Sequence, residues 1–276
     1  MSRNSISFHR LKHLLGYEWA IDKRFYLLGT AGILLMSFGV FLTIWFSNIS
    51  GFVWTSTDYN SIFFGGFVFL SVFGISQGFI DLREKNTSIR YLTLPSSAME
   101  KFIAQVCFRL IVPIIVYLFA FWLGANISID VYYFFQETIL RQTALPEIHK
   151  AELLYLYWTP DTNTSLDIGY WLLFGTIVSI PLLMFMGGIV FGKWGFITMP
   201  ITIGLFIALL FGSYYSLSWL IYPVISSSSR DFGIPIGKPE VFEGVPLFVL
   251  VCLILIWFAV FLSFYVTYLK LKEREI

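Results

Sequence analysis

The chain has 276 residues, of which 57% are hydrophobic, 20% aromatic and 13% charged, and its formal net charge is +1. A soluble domain of this size carries roughly a quarter charged residues, so this composition excludes an ordinary soluble protein and requires lipid around most of the surface. The sequence contains no block of Lys and Arg residues that could bind along the phosphate backbone of a nucleic acid, so we expect no nucleic-acid partner. Cys107 and Cys252 lie inside apolar runs, which indicates buried apolar residues without a disulfide or a metal site.

The first predicted element is an amphipathic helix within the N-terminal segment, residues 1–24. Between Ser7 and Ala20, one helical face carries Phe8, Leu11, Leu15 and Trp19, and the opposite face carries His9, Arg10, Lys12 and His13. This pattern predicts a helix that lies in the inner membrane interface, ahead of the first span. Glu18 falls near the apolar face and weakens the prediction, so an ordinary basic tail remains the alternative.

Six stretches are long and apolar enough to cross a bilayer. A hydrocarbon core of about 30 Å needs roughly 20 apolar residues of helix, and the runs are continuously apolar, without the alternation of membrane strands. The predicted spans are Phe25–Phe46, Asn60–Ile80, Phe102–Ala125, Gly169–Phe191, Phe196–Tyr222 and Val245–Leu269. The predicted fold class is therefore an all-α integral membrane protein with six transmembrane helices in one domain, residues 1–276.

The distribution of basic residues predicts the orientation of these spans. Of the 18 Lys and Arg residues, thirteen fall on the side that holds both termini and the Asp81–Lys101 loop. Four fall on the opposite side, and Arg109 lies within the third span. Because cytoplasmic loops carry the excess of Lys and Arg, both termini are predicted to be cytoplasmic.

The cytoplasmic loop, residues 81–101, combines a helix stop with a helix start. Pro95 has no N–H to donate and pushes Leu94 towards extended geometry, so a preceding helix must end there. Ser97 and Glu100 have the spacing of a capping box, which predicts a new helix that runs into the third span. We refer to Leu94, Pro95, Ser97 and Glu100 as the corner.

Two segments are predicted to be external. In residues 126–168, Val131–Arg141 and Ile148–Trp158 have a helical pattern, and the run from Thr159 to Asn163 has turn chemistry. Residues 223–244 form a loop rich in Ser, Gly and Pro. A re-entrant break at Gly212-Ser213 would precede that loop.

The sequence contains no complete catalytic or metal-binding motif. The run from Gly187 to Lys193 matches the first part of a P-loop, but Trp194 stands where Ser or Thr should bind magnesium. The three histidines lie outside the spans, and no carboxylate pair occurs at mid-membrane, so intramembrane proteolysis and ion-driven transport lack their usual groups. Arg109 either snorkels or pairs with a loop carboxylate, or it contacts a substrate or a lipid headgroup.

The cytoplasmic loop resembles the signature of type-2 ABC transporter permeases, the membrane subunits of the exporter class. The matching residues are Arg83-Glu84-Lys85-Asn86-Thr87, Leu92-Thr93-Leu94-Pro95-Ser96-Ser97 and Glu100-Lys101. Six spans, cytoplasmic termini and an N-terminal amphipathic helix are also features of that family. The external segment of residues 126–168 is longer than expected for a compact member.

The resemblance implies a division of labour between this chain and its partners. A coupling helix within Arg83–Arg90 would dock on a separate ABC ATP-binding subunit, with contacts from Arg83, Glu84, Lys85 and Arg90. ATP and magnesium would bind that partner, and this chain would hold no cofactor. A second permease subunit, identical or different, would complete the translocation path in a bacterial inner membrane.

A different class of function stays open from the sequence. The chain could be a non-transporting membrane scaffold, or a lipid-modifying enzyme whose site lies in the external segment. Co-purification with an ATPase would separate these hypotheses from the exporter.

The orientation yields the first testable prediction. Single cysteines placed at Ser56, Thr162 and Ser228 should react with an impermeant maleimide in intact cells. Cysteines at Ser88 and Lys272 should react only after permeabilisation. Labelling of Ser88 in sealed cells would reverse the orientation and remove the cytoplasmic role of its loop.

Overall fold

The structure is a computed structural model. It describes residues 7–47, 53–55, 57–79, 82, 85–141, 146–152, 164–221, 240–242 and 245–274. These residues are predominantly helical, and five helices among them are long and apolar enough to cross a membrane. The prediction of a helical integral membrane protein is confirmed at this level, because helices satisfy their backbone groups internally in lipid.

The described residues include eight α-helices and four short strands. The helices are α1 (Phe8–Ser47), α2 (Asp58–Phe73), α3 (Lys85–Leu92), α4 (Ala98–Gln105), α5 (Val112–Phe134), α6 (Thr164–Val190), α7 (Gly195–Ile221) and α8 (Leu247–Arg274). The strands are β1 (Val53–Trp54), β2 (Glu147–Ile148), β3 (Glu240–Phe242) and β4 (Val245–Pro246). β1 pairs with β2 in parallel and β3 with β4 antiparallel.

The chain divides into two compact units. The first comprises Met1–Gly78 and Leu92–Pro160, and the second comprises Phe79–Tyr91 and Asp161–Arg274. The division falls inside the loop of residues 81–101, so α3 belongs to the second unit up to Tyr91, and the corner belongs to the first.

In the first unit, α1 is one continuous helix of 40 residues. The predicted amphipathic segment is therefore joined to the first span without a break. Its buried face carries Leu14 and Glu18, whereas Phe8 and Trp19 are exposed. The location of this segment in the membrane interface stays a prediction.

α4, α5 and two π-helical stretches form a single apolar helix, Ala98–Ile139, of 42 residues. The π-helical stretches are Val106–Ile111 and Phe135–Ile139. At about 1.5 Å per residue the helix is about 60 Å long, twice the thickness of a bilayer core. The predicted end of the third span at Ala125 is therefore not a helix end.

An aromatic core joins α1, α2 and α5 in the first unit. The ring of Phe63 lies 5.1 Å from that of Phe121 and 5.2 Å from that of Tyr117. The Tyr117 hydroxyl donates to the Phe63 carbonyl at 2.7 Å. Phe41 adds a further ring, 5.5 Å from Phe121.

The helix predicted at Ile148–Trp158 is wrong as far as residue 152, where the described residues end. Residues 147 and 148 form a strand, and those that follow are irregular. Side chains bind their carbonyl groups: Tyr59 Oη donates to His149 at 2.8 Å and Trp122 Nε1 to Ala151 at 2.9 Å. These carbonyl groups therefore accept from side chains, where in a helix they would accept from backbone N–H groups.

In the second unit, glycines bring helices into close contact. A Cβ on Gly187 would approach Met199 to 2.8 Å, and a Cβ on Gly195 would approach the Gly187 carbonyl oxygen to 2.6 Å. Gly187, the first glycine of the P-loop-like run, thus lies where α6 packs against α7. The predicted re-entrant break at Gly212-Ser213 is wrong, because α7 continues unbroken to Ile221.

Candidate functional site

Buried polar groups concentrate along the contact between α1 and the helix Ala98–Ile139, within the first unit. We call this row the polar ladder. It comprises Ser7, which directly precedes α1, then Arg10, Glu18, Asp22 and Tyr26 on α1, and Glu100, Gln105, Phe108 and Arg109 on the facing helix. Glu18 and Asp22 on α1 lie four positions apart, as do Gln105 and Arg109 on the facing helix, which places each pair on one face of its helix.

Glu100 forms the first rung and joins the corner to the start of α1. Its carboxylate is fully buried and accepts from the backbone N–H of Ser97 at 2.8 Å and of Ser7 at 2.7 Å. Arg10 Nη2 lies 3.2 Å from the same carboxylate. A buried carboxylate is stable when donors and a cation surround it.

The capping box predicted at the corner is present. Ser97 Oγ accepts from the Glu100 backbone N–H at 3.3 Å, and Glu100 accepts from the Ser97 N–H. On the other side of Pro95, Lys101 Nζ donates to the Leu92 carbonyl at 2.9 Å. The corner is therefore bonded to the residues before it, the helix after it and α1.

The next two rungs lie one helical turn apart. Gln105 Nε2 donates to Glu18 Oε1 at 2.8 Å. Arg109 Nη2 lies 2.5 Å from Asp22 Oδ2, and Arg109 is only 5% exposed. Of the two interpretations of Arg109, pairing with a carboxylate is the one that the structure contains, and the carboxylate comes from α1.

The last rung depends on the π-helical stretch around Arg109. The Val112 N–H donates to Cys107, five residues back, and not to Phe108 as in an α-helix. Pro113 has no N–H, so the Phe108 carbonyl loses that donor as well. The Tyr26 hydroxyl fills the gap and donates to this carbonyl at 2.6 Å.

Part of the predicted coupling segment lies outside the described residues. Arg83 and Glu84 are among the residues that are not described. Lys85 and Arg90 lie on α3, an eight-residue helix, but their side chains are not described. Contact of these four residues with a partner stays a prediction.

No family model, curated protein or solved structure matches this chain. The resemblance to exporter permeases therefore rests on the motif within residues 81–101 and on the predicted topology. Among the described residues, no group of three or more His, Cys, Asp or Glu could hold a metal ion.

A separate set of contacts in the second unit holds the residues that precede α3. Arg274, in the last turn of α8, donates to the Leu82 carbonyl at 3.0 Å and to the Ile189 carbonyl at 3.1 Å. Phe79 is buried with its ring 4.9 Å from that of Phe185. Its φ of 58° is unfavourable for a bulky residue, so these contacts must hold it there.

Several of these residues are not among the site residues predicted from the sequence. The sequence pattern presents Glu18 as a defect in an apolar face, and it gives no role to Asp22, Gln105 or Arg274. The signal was the spacing: Glu18 and Asp22 repeat at four residues, as do Gln105 and Arg109. Matching polar pairs on two apolar helices predict that the helices face each other.

The ion pair of Asp22 and Arg109 yields the second prediction. Asp22→Asn should lower the free energy of unfolding by about 3–5 kcal/mol, because it leaves a buried guanidinium without its counter-ion. Adding Arg109→Gln should recover part of that loss. Unfolding of the purified protein in mixed micelles, followed by tryptophan fluorescence, measures the cycle.

A matched control is the exposed pair of Lys270 and Glu273 on α8, whose side-chain atoms lie 2.7 Å apart. Glu273→Gln should leave the unfolding curve unchanged, since water screens this pair. Additive losses in the Asp22–Arg109 cycle would contradict direct coupling between the two side chains.

Proposed function

We propose that this chain is the membrane-spanning permease subunit of an ATP-driven ABC exporter. A separate subunit binds ATP and magnesium and docks on α3, and a second permease subunit completes the translocation path. The chain spans a bacterial inner membrane six times with both termini in the cytoplasm, and the N-terminal part of α1 lies in the inner interface.

The observation that carries this proposal is the attachment of the corner. An exporter permease must pass a movement of its docked loop to a membrane span, and a flexible connection would absorb that movement. Here the capping box fixes the start of α4, and Glu100 also binds Ser7 and Arg10 of α1. A displacement of the corner therefore acts on two long helices at once.

The anchoring of the residues before α3 supports the same function. Arg274 binds the Leu82 carbonyl, and Phe79 packs on Phe185. A docking helix is effective only when the segments on both of its sides are held. The structure contains such contacts before α3 in the second unit and after it in the first.

The third prediction tests the partner. An ATPase should co-purify with the tagged chain, and reversing Arg83 and Lys85 to Glu should weaken that association without loss of membrane insertion. Lys193→Glu is the matched control, because Lys193 is exposed on a different predicted cytoplasmic turn. If wild type and the reversed variant both purify without an ATPase, the scaffold or lipid-modifying alternatives take precedence.

The fourth prediction tests the corner. Ser97→Ala removes the hydroxyl that caps α4 and should cost about 1 kcal/mol at the helix start. That cost is too small to unfold the protein, but transport per ATP hydrolysed should fall. Transport and hydrolysis are measured together in proteoliposomes that contain the assembled complex.

Ser96→Ala provides the control for the corner. The Ser96 hydroxyl is the neighbouring one, and it has no hydrogen-bond partner among the described residues. Its removal should leave the ratio of transport to hydrolysis unchanged. An equal ratio in wild type and Ser97→Ala would make the corner a helix boundary without a mechanical role.

A further inference from the structure

An apolar groove lies beside Arg109 within the first unit. It is lined from three sides by α1, by the end of α2 and by the start of α5, and its volume is about 70 Å³. The α1 residues that line it are Phe25, Tyr26, Gly29, Thr30 and Ile33.

Arg109 gives this apolar groove one polar end. Its side chain lines the groove and is almost fully buried. One nitrogen, Nη2, lies against Asp22, and Nε has no hydrogen-bond partner among the described residues. A guanidinium has five N–H donors, so Arg109 retains donors that the ion pair does not use.

The charges at this end of the groove favour an anion. Lys23 and Arg24 are exposed on the turn of α1 that precedes Phe25. They add two positive charges to the turn of α1 that carries Asp22, whose own charge is matched by Arg109. Arginine binds phosphate with two parallel hydrogen bonds, and exposed lysine adds attraction to an anionic membrane surface.

The shape of the groove favours a hydrocarbon chain. From Phe25 to Ile33 the groove follows α1 for about 12 Å at the helical rise of 1.5 Å per residue. A Cβ added to Gly29 would meet no heavy atom within 4 Å. This glycine keeps the groove open towards the apolar side, where a larger side chain would fill it.

We propose that the groove binds one anionic phospholipid. The headgroup phosphate accepts from Arg109, and one acyl chain lies along α1 from Phe25 to Ile33; Lys23 and Arg24, on the preceding turn, attract anionic lipid to this end of the helix. The site requires no partner subunit, so it stands whether or not the chain is an exporter. A charged headgroup at the end of an apolar slot also satisfies the guanidinium donors that the protein itself leaves unused.

Native mass spectrometry of the delipidated full-length protein in detergent tests this site. Titration with dioleoyl phosphatidylglycerol should show one tightly held lipid per chain, and dioleoylglycerol, which has the same chains without phosphate, should be held more weakly. Gly29→Leu should reduce the affinity for phosphatidylglycerol by about tenfold or more. Equal affinity in wild type and Gly29→Leu would overturn the proposal.

Two further arms separate the groove from its surroundings. Gly32→Leu is the matched control, since Gly32 also has open space around it but does not line the groove; its affinity should equal that of wild type. The double variant Asp22→Asn/Arg109→Gln keeps the local charge balance and should lose the preference for phosphatidylglycerol over dioleoylglycerol. Displacement of the lipid by excess inorganic phosphate would contradict a lipid occupant, as would a retained preference in the double variant.

Discussion

Burial of charge between two apolar helices is the constraint on which the first unit depends. Asp22 and Arg109 lie 2.5 Å apart and nearly out of contact with solvent, and Glu100 is fully enclosed by Ser7, Ser97 and Arg10. A charged group in such a place is tolerated only while its partner stays in position. The polar ladder therefore fixes the register of α1 against the helix Ala98–Ile139 far more strictly than apolar packing could, because apolar side chains in lipid gain little from one neighbour over another.

This register explains why the corner, the ladder and the groove occur together. Glu100 belongs to the capping box and to the first rung, so the start of α4 and the start of α1 share one carboxylate. Arg109 belongs to the third rung and also lines the groove. In the proposed exporter, a displacement of the corner would shift the residues of the polar ladder and, through Arg109, the groove. The affinity for bound lipid would then depend on the conformation of the ATP-binding subunit.

Local features were predictable from the sequence, and pairings between distant segments were not. The capping box was predicted correctly because Ser97 and Glu100 contact each other within one turn, and forming that box needs no other part of the chain. The partner of Arg109 could not be predicted, since Asp22 is one of several acidic residues near the same interface and only the packing of α1 selects it. The third span was predicted to end at Ala125, just before the polar Asn126, but the Asn126 side chain donates to the carbonyl groups of Trp122 and Ala151 and the helix continues. The predicted break at Gly212 was wrong because glycine does not have to interrupt a membrane helix: small residues are common where such helices pack together.

The π-helical stretch Val106–Ile111 contains one residue more than an α-helix would need for the same turn, and Pro113 directly follows it. The wider π-helical turn takes up that residue, so the helical segments on either side keep the relative rotation that they would have in an uninterrupted α-helix. Loss of a single residue beside Arg109 would therefore let the turn close to α-helical geometry with little change in rotation. An added residue has no such turn to occupy, and it would rotate the following helix by about 100°. The stretch thus accepts a one-residue gap more readily than a one-residue insertion, whereas Arg109 within it must keep its side chain, because that side chain pairs with Asp22.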